Sequence, residues 1–345
     1  MSNTVQSTLA AAAPASRSEG FIAIGNMASG ALIGLPFVAL RGAQPGKTLW
    51  INGQVHGVEV TGIVAALDFI NGLDPARLAG NIVVTSTANP LAFDARRKNA
   101  PVDENDLDQT FPGRADGFTT EMCAHHLLAE IRAIAPDLVI SMHAQGTQTV
   151  SRTYAVYKQP PGTTVTEKLL FPYVAAFRPR VACRMSVVPG SGELLGNHAG
   201  ALDYQLNALG IPTFMVELGN GQRADPAEVA LGLAGFDDVA RRLGIVPGAP
   251  REGPATLCRV TRRGHFPVAR GGLFRPLQQP GAVVRAGTPL GEIMSIHGHV
   301  IERPTAANDV IIIAIRVDPV VHSGDRIAYV AHEWEEWDEW EDVAV

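Results

Sequence analysis

Four short apolar runs, separated by stretches with helical periodicity, constrain the fold of this chain more than any other feature. The runs cover residues 48–52, 82–86, 138–142 and 213–218, and the helical stretches cover residues 60–69, 120–134, 201–209 and 226–243. Apolar strands that alternate with helices predict a layered α/β fold with a largely buried sheet. In such sheets, ligand sites form beyond the carboxyl ends of the strands.

The sequence changes character after residue 247. Segment 245–256 is rich in proline and glycine and is typical of a linker. Short β-like runs separated by glycine, proline and aspartate turns follow it, without a long amphipathic helix. We therefore expect an α/β domain over residues 20–247 and a small all-β domain over residues 255–331, similar to a barrel-sandwich.

The two ends of the chain have a different composition from the rest. Residues 1–18 are small and polar and predict a disordered leader. Residues 332–345 form an acidic tail in which Trp334, Trp337 and Trp340 are three residues apart. This spacing approximates one face of a docking helix, but a solvated tail is the favoured interpretation because acids surround each tryptophan.

Charge and hydropathy exclude several classes of partner. The net charge is −6, and residues 333–342 hold seven acids, so the remainder sums to −6 + 7 = +1. A near-neutral body predicts no nucleic-acid binding, and no apolar run approaches the roughly 20 residues of a membrane helix. Three distant cysteines fit a reducing compartment, so we expect a cytoplasmic protein with a small-molecule substrate. The sequence does not decide whether the protein forms a homo-oligomer.

Four residues that carry chemistry lie at or near the ends of the predicted strands. His56 and Glu59 occupy a strand-to-helix turn, His143 directly follows the run 138–142, and Glu217 lies in an apolar strand before a glycine loop. Two imidazoles and one carboxylate form a ligand set of catalytic zinc, which leaves a position open for water. Each residue alone is weak evidence, because a surface histidine, a helix-start glutamate or a salt-bridged buried acid are common alternatives.

Taken together, the motifs of this chain resemble those of the succinylglutamate desuccinylase/aspartoacylase family. The motifs are NGxxHGxE at 52–59, NPxAF at 89–93, DLxxxFPG at 106–113, the histidine at 143 and GIPTxxxExG at 210–219. The family comprises zinc amidohydrolases related to the zinc carboxypeptidases and carries a small C-terminal β domain. The resemblance implies a zinc-carboxypeptidase-like mixed sheet flanked by helices. It also implies one zinc ion per chain, held by His56, Glu59 and His143, with Glu217 as the general acid/base.

The resemblance also implies a cation after the NPxAF segment that stabilises the oxyanion of the reaction. Arg96, Arg97 and Lys98 occupy this place. By spacing, Lys98 is the closest match and Arg97 the next, and we expect Asn89, within the same segment, to bind substrate. At least one of the three cations is a solvated basic residue.

One departure from the family concerns the substrate. The family typically has an Asn-Arg pair that binds the substrate's carboxylate, whereas this chain has Asp108 and Gln109. Glutamine lacks the charge of arginine, and an aspartate beside it repels an anion. We therefore hypothesise that the group bound there is neutral or cationic. Arg152 or Arg223 could supply a carboxylate clamp instead.

The sequence as a whole predicts a zinc-dependent deacylase that cleaves the amide bond of a small N-acylated amine or amino-acid derivative. Deacetylation of N-acetyl-diaminobutyrate illustrates this class, because its free amine would suit Asp108. A metallocarboxypeptidase acting on short peptides is the alternative enzyme, although it requires a carboxylate clamp. A non-catalytic binding protein is the third possibility, and it has no need of Glu217 as an acid/base.

Overall fold

The computed structural model describes residues 4–187, 196–252 and 257–337. Its helices are α1 (Val5–Ala11), α2 (Thr61–Asn71), α3 (Pro90–Ala95), α4 (Thr119–Ile134), α5 (Glu167–Ala175), α6 (Leu202–Ala208) and α7 (Pro226–Arg242). The first nine strands are β1 (Ser16–Asn26), β2 (Leu32–Arg41), β3 (Gln44–Asn52), β4 (Ala79–Thr85), β5 (Leu138–Gln145), β6 (Thr149–Ser151), β7 (Tyr154–Gln159), β8 (Val181–Ser186) and β9 (Thr213–Asn220). The others are β10 (Leu257–Pro267), β11 (Gly272–Pro276), β12 (Val283–Val284), β13 (Gly291–Met294), β14 (Val300–Glu302), β15 (Val310–Arg316), β16 (Val320–Val321) and β17 (Arg326–Trp337).

A large mixed sheet organises the fold. Its strand order is β1-β2-β4-β3-β5-β9-β7-β8-β10-β17-β15-β12, with β6 beside β15, and a second sheet has the order β14-β13-β11-β16. The four predicted apolar strands lie in β3, β4, β5 and β9, and the four predicted helices correspond to α2, α4, α6 and α7. The predicted α/β class, with a mixed sheet and a small C-terminal β region, is therefore confirmed.

Alternation along the central strands divides the core of the α/β domain into two layers. Leu49 and Ile51 of β3 pack in one layer with residues of α2, α5 and α7. Trp50 points to the opposite face and packs with residues of α1, α4 and α6. Its indole Nε1 donates a hydrogen bond of 2.8 Å to Thr85 Oγ1, so this fully buried ring leaves no polar atom unpaired.

The C-terminal β region shares the large sheet with the α/β domain. Strand β10 pairs in parallel with β8, and β15 pairs antiparallel with β6. These backbone ladders hold the β region beside the central strands, where it can contribute side chains to a cleft at their carboxyl ends.

The expectation of a disordered leader over residues 1–18 is wrong for the described residues 4–18. Thr4 caps α1 by accepting a hydrogen bond from the backbone N–H of Ser7. Val5 is fully buried, and its N–H donates a 2.9 Å hydrogen bond to Glu130 on α4. Arg41 donates a 2.7 Å hydrogen bond to the carbonyl of Ala12. Contacts with distant residues stabilise a helix too short to form alone.

The expectation of an acidic tail that is either solvated or helical is also wrong for residues 332–337, because they continue β17. Glu333 and Glu335 form ion pairs with Arg262 and Arg259 of β10, at 2.7 and 2.6 Å. Trp337 is buried, and its ring centroid lies 4.0 Å from that of Phe171. The paired acids thus stay at the exposed surface of the strand, whereas the ring at its end packs in the core of the α/β domain. Trp340 lies outside the described residues.

The lengths and compositions of the helices show whether any of them could cross a membrane. Within the described residues, no helix combines the length and the apolar character that crossing a bilayer requires.

Candidate functional site

Three parallel strands bring the predicted site residues together. In the ladder of β3 and β5, Asn52 pairs with Ser141, and in the ladder of β5 and β9, His143 pairs with Glu217. His56 and Glu59 follow β3 in the turn that leads into α2. Four residues that are distant in sequence therefore lie at the carboxyl ends of adjacent strands.

The glycines of the NGxxHGxE motif allow the close approach that this turn requires. A Cβ atom at Gly57 would lie 2.1 Å from the carbonyl carbon and oxygen of Ala92. A Cβ atom at Gly53 would lie 2.6 Å from the carbonyl oxygen of Ser86. Both distances are too short for any side chain, so the turn that carries His56 and Glu59 depends on glycine.

His56, Glu59 and His143 form a compact buried cluster. His56 Nδ1 lies 2.7 Å from Glu59 Oε1, and His143 Nδ1 lies 3.2 Å from Glu59 Oε2. One potential ligand atom of each residue lies within 4.8 Å of the others. The two imidazoles thus present the same kind of nitrogen to one carboxylate, which is the donor set of a catalytic zinc site.

Each imidazole has a second partner that fixes the orientation of its ring. His56 Nε2 lies 3.0 Å from Asp106 Oδ1, and His143 Nε2 lies 3.3 Å from Ser141 Oγ. Such outer partners of ligating histidines select the tautomer and hold the ring in place. They leave the two Nδ1 atoms as the donors for a metal ion.

The charges of the cluster fit a cation. Burial alone lowers the pKa of His56, but Glu59 and Asp106 outweigh this effect and raise the pKa to about 10. Burial also opposes the lowering of the pKa of Glu59, yet His56 and His143 lower it to about 2. Glu59 Oε2 is buried without a hydrogen bond of good geometry. A divalent ion would supply the positive charge that this oxygen and both imidazoles are arranged to receive.

Glu217 is a second buried carboxylate beside the cluster. Burial and the charge of Glu59 raise its pKa to about 7, while His143 and a hydrogen bond with Tyr154 act in the opposite direction. Tyr154 is the register partner of Glu217 in the ladder of β7 and β9, and its hydroxyl accepts a 2.6 Å hydrogen bond from Gln145. A carboxyl group with this pKa can take up and release a proton at neutral pH.

A cleft with two adjoining parts lies in front of these residues. The larger part, of 840 Å³, is lined by His56 and Glu59, and the smaller part, of 550 Å³, is lined by Asp108 and Tyr154. Six residues line both parts: Lys98, Gln145, Gln148, Thr149, Glu217 and Arg326. The cleft is large enough for a small molecule, and Glu217 lies where its two parts meet.

The two cations proposed for oxyanion stabilisation occupy different environments. Lys98 lines both parts of the cleft, and its Nζ lies 2.7 Å from Asp106 Oδ2. Burial lowers its pKa, but Asp106 outweighs burial and raises it. The Arg97 side chain is 51% exposed and forms an ion pair with Glu104. Both residues line the larger part of the cleft, but it is Lys98 that pairs with Asp106, the partner of His56.

Asp108 and Gln109 also differ in their relation to the cleft. Asp108 lines the smaller part; its Oδ1 is buried without a hydrogen bond in the described structure, and its pKa is raised, first by burial. The Gln109 amide donates a hydrogen bond of 3.0 Å to Asp106 and accepts one of 2.9 Å from the backbone N–H of Asn197. Asp108 therefore faces the cleft, whereas Gln109 supports the turn.

The structure places three other predicted substrate residues away from the lining of the cleft. Asn89 accepts a hydrogen bond from the backbone N–H of Ala92 and caps α3. Arg152 is exposed and lies next to Gly281, and Arg223 forms an ion pair with Asp225. The expectation that Asn89 and Arg152 bind substrate therefore stays a prediction, and neither Arg152 nor Arg223 lines either part of the cleft.

Several residues that line the cleft were missed by the sequence analysis. Arg263, His265, Arg316 and Arg326 come from β10, β15 and β17 of the β region. Their places depend on strand pairing over long sequence distances, so no local pattern identified them. Lys158 is the exception, because a lysine in the apolar run of β7 is unusual. It is buried and lies 2.7 Å from Asp203 Oδ1.

Comparison with protein families gives one match. Residues 45–243 match the succinylglutamate desuccinylase/aspartoacylase catalytic domain. This range contains the cluster of His56, Glu59 and His143, together with Glu217 and the Asp106–Gln109 turn.

Individual proteins are also similar to this chain in sequence or in structure. The N-alpha-acetyl-L-2,4-diaminobutyric acid deacetylase of Halomonas elongata is 32% identical over 111 residues, which span 32% of this chain and 31% of that protein. The product-bound structure of an ectoine utilization protein from Ruegeria pomeroyi superimposes with a TM-score of 0.80 and 22% identity, over 92% of this chain and 97% of that one. A succinylglutamate desuccinylase/aspartoacylase from Rhodobacter sphaeroides has a TM-score of 0.77 and 23% identity, over 94% and 96%. At these identities the structural likeness concerns the fold.

Proposed function

The chain belongs to the succinylglutamate desuccinylase/aspartoacylase family, and from this premise we propose that it is a zinc-dependent amidohydrolase. Its proposed substrate is a small N-acylated amine or amino-acid derivative, of which it cleaves the amide bond. The observation that carries this proposal is the buried cluster of His56, Glu59 and His143 at a cleft that also contains Glu217.

The zinc ion would be held by the two imidazoles and by the carboxylate of Glu59. When bound, zinc supplies Lewis acidity and lowers the pKa of a water molecule to about 7. The buried surroundings of the three ligands and the partners of their outer nitrogens support this assignment, since both keep the donor atoms ordered.

Glu217 serves as the general base and then as the general acid. It takes a proton from the water that attacks the amide carbonyl, and it returns this proton to the nitrogen of the departing amine. Its pKa, raised to about 7, suits both steps near neutral pH. Lys98 stabilises the negative charge that develops on the carbonyl oxygen, because its ammonium group lines the same cleft and stays protonated.

Asp108 selects the part of the substrate that lies in the smaller part of the cleft. Its carboxylate favours a neutral or cationic group, and a bound amine would provide the partner that its Oδ1 lacks among the described residues. An N-acetylated diamino acid carries such an amine. The Halomonas elongata relative is named as a deacetylase of a compound of this kind, which supports the same substrate class here.

Metal analysis combined with the Glu217→Gln variant tests this function. Wild-type protein should bind one zinc ion and hydrolyse N-acetyl diamino acids, and a chelator should abolish the hydrolysis. Glu217→Gln should retain zinc and lose turnover by at least about 10²-fold, the lower range for general acid–base catalysis. Hydrolysis that survives both the chelator and the substitution would refute the proposal. Hydrolysis of short peptides alone would favour a metallocarboxypeptidase.

A further inference from the structure

The β region gives one wall of the cleft a basic character. Three arginines of this region, Arg263, Arg316 and Arg326, line the smaller part of the cleft. The single acid that the region contributes to this lining, within the described residues, is Asp325, which forms an ion pair of 3.6 Å with Arg316. The opposite character of Asp108 on the α/β side makes the cleft electrically asymmetric.

The three arginines differ in the partners they already have. Arg316 contacts Asp318 and Asp325 and donates hydrogen bonds to the carbonyls of Asp318 and Val320. Arg263 is buried, and its guanidinium contacts Met185 Sδ and the ring of Tyr329. Both side chains are held in place by protein groups.

Arg326 is different, since its guanidinium is exposed and has no hydrogen bond or ion pair with residues 4–187, 196–252 or 257–337. It lines both parts of the cleft, as Glu217 and Lys98 do. Its backbone is fixed at the start of β17 by pairing with Pro267 of β10. A guanidinium held at the junction of the cleft is positioned to bind an anionic group of a ligand that also reaches Glu217.

The other titratable groups nearby do not take over this role. Burial, Arg326 and Arg263 lower the pKa of His265 to about 4, so its ring is neutral at physiological pH. Lys98 is engaged by Asp106, and Lys158 by Asp203. On the α/β side, Asp108 and Glu217 carry negative charge when ionised, and they repel an anion from that wall.

We propose that Arg326 binds the carboxylate of the substrate and thereby replaces the Asn-Arg clamp that is absent at Asp108 and Gln109. This inference rests on the proposed amidohydrolase function and narrows its substrate to N-acyl amino acids whose acid group faces the β region. With an amine at Asp108, the substrate is an N-acylated diamino acid, bound between an acidic and a basic wall.

Binding of a matched ligand pair tests this proposal without turnover. The pair is Nα-acetyl-L-2,4-diaminobutyric acid and its carboxamide, measured by calorimetry on the zinc-loaded full chain with Glu217→Gln to prevent hydrolysis. The acid should bind about tenfold more tightly than the carboxamide, the value of one charged hydrogen-bonded contact. Adding Arg326→Gln should remove this difference and leave the carboxamide affinity within about twofold. Arg326→Lys should retain part of the preference, since it keeps the charge but not the fork.

Arg270→Gln is the matched control, because Arg270 is an exposed arginine of the same region that does not line either part of the cleft. It should leave both affinities unchanged. Equal weakening of both ligands by Arg326→Gln, no effect on either, or no tighter binding of the acid by the parent protein would each overturn the proposal. Hydrolysis is measured separately on the chain with native Glu217. Loss of the preference for the acid would then refute the role of Arg326 alone, whereas absence of hydrolysis would refute the proposed function.

Discussion

Asp106 joins the cluster of His56, Glu59 and His143 to the part of the cleft that Asp108 lines, and its replacement by asparagine tests that connection. Its Oδ1 accepts from His56 Nε2 at 3.0 Å and from the backbone N–H of Asp108 at 3.0 Å. Its Oδ2 accepts from Lys98 Nζ at 2.7 Å and from the Gln109 amide at 3.0 Å. An asparagine offers only one oxygen, so its NH₂ group must face two donors on one of the two sides.

The expected effect on zinc binding follows from these contacts. A hydrogen bond to a charged group contributes about 1.5–3 kcal/mol, which corresponds to about 10- to 150-fold in an equilibrium constant. Loss of an outer partner of a metal-ligating histidine typically costs 10–100-fold in metal affinity. We therefore expect Asp106→Asn to raise the zinc dissociation constant by about 10- to 100-fold.

Competition with a chromophoric chelator at pH 7 measures this change. Asp103→Asn is the matched control, because Asp103 also accepts several hydrogen bonds, two of them from Thr120 at 2.8 Å, but holds the start of α4 and not the cluster. It should leave zinc affinity unchanged. Wild-type affinity in Asp106→Asn, or an equal loss in Asp103→Asn, would refute the reasoning.

Three further predictions concern the base, the oxyanion and the C-terminal strand. Because the hydrogen bond with Tyr154 lowers the pKa of Glu217, Tyr154→Phe should raise that pKa and move the acid limb of the kcat/KM–pH profile upward; an unmoved limb would contradict this role. Lys98→Met should lower kcat by about 10²–10³-fold and Arg97→Met by less than about threefold in steady-state assays, and equal effects would mean that Lys98 is not the oxyanion cation. Trp337→Ala should reduce the free energy of unfolding by about 3–5 kcal/mol in urea denaturation, whereas a loss below about 1 kcal/mol would mean that the ring is not packed.

The central α/β architecture was predictable because local pattern and tertiary role agree there. Strand β5 is buried from Leu138 to Ala144, and its residues 138–142 form a predominantly apolar run. The grouping of His56, Glu59 and His143 was predictable for a related reason, since residues that follow parallel strands meet at one edge of the sheet whatever their distance along the chain. Gly53 and Gly57 of the NGxxHGxE motif mark the same turn, because other segments of backbone approach it too closely for a side chain.

The ends of the chain were not predictable, because their structure depends on distant partners. Helix α1 has seven residues and is held by contacts of Val5 and Ala12 with α4 and β2. In the C-terminal segment, three tryptophans at a spacing of three concealed the period of two that a strand uses. The strand is stabilised by its pairing with β10, where Arg259 and Arg262 form ion pairs with Glu335 and Glu333.

The substrate side of the cleft was only half predictable. Asp108 lies within the DLxxxFPG motif, so its position could be anticipated. Arg326 lies more than 200 residues later and reaches the cleft through the pairing of β10 and β17 with the rest of the sheet. Nothing in its local sequence distinguishes it from the other arginines of the β region, such as Arg270 or Arg285.

X-ray absorption spectroscopy at the zinc edge tests the central claim most directly. The zinc-loaded protein should contain one ion per chain, with two imidazole nitrogens at about 2.0–2.1 Å and a carboxylate oxygen at about 2.0–2.2 Å. His143→Ala should remove one imidazole from the spectrum and most of the bound zinc. A first shell that contains sulfur or lacks imidazole, or a spectrum unchanged by His143→Ala, would contradict the assignment of His56, Glu59 and His143 as the metal centre.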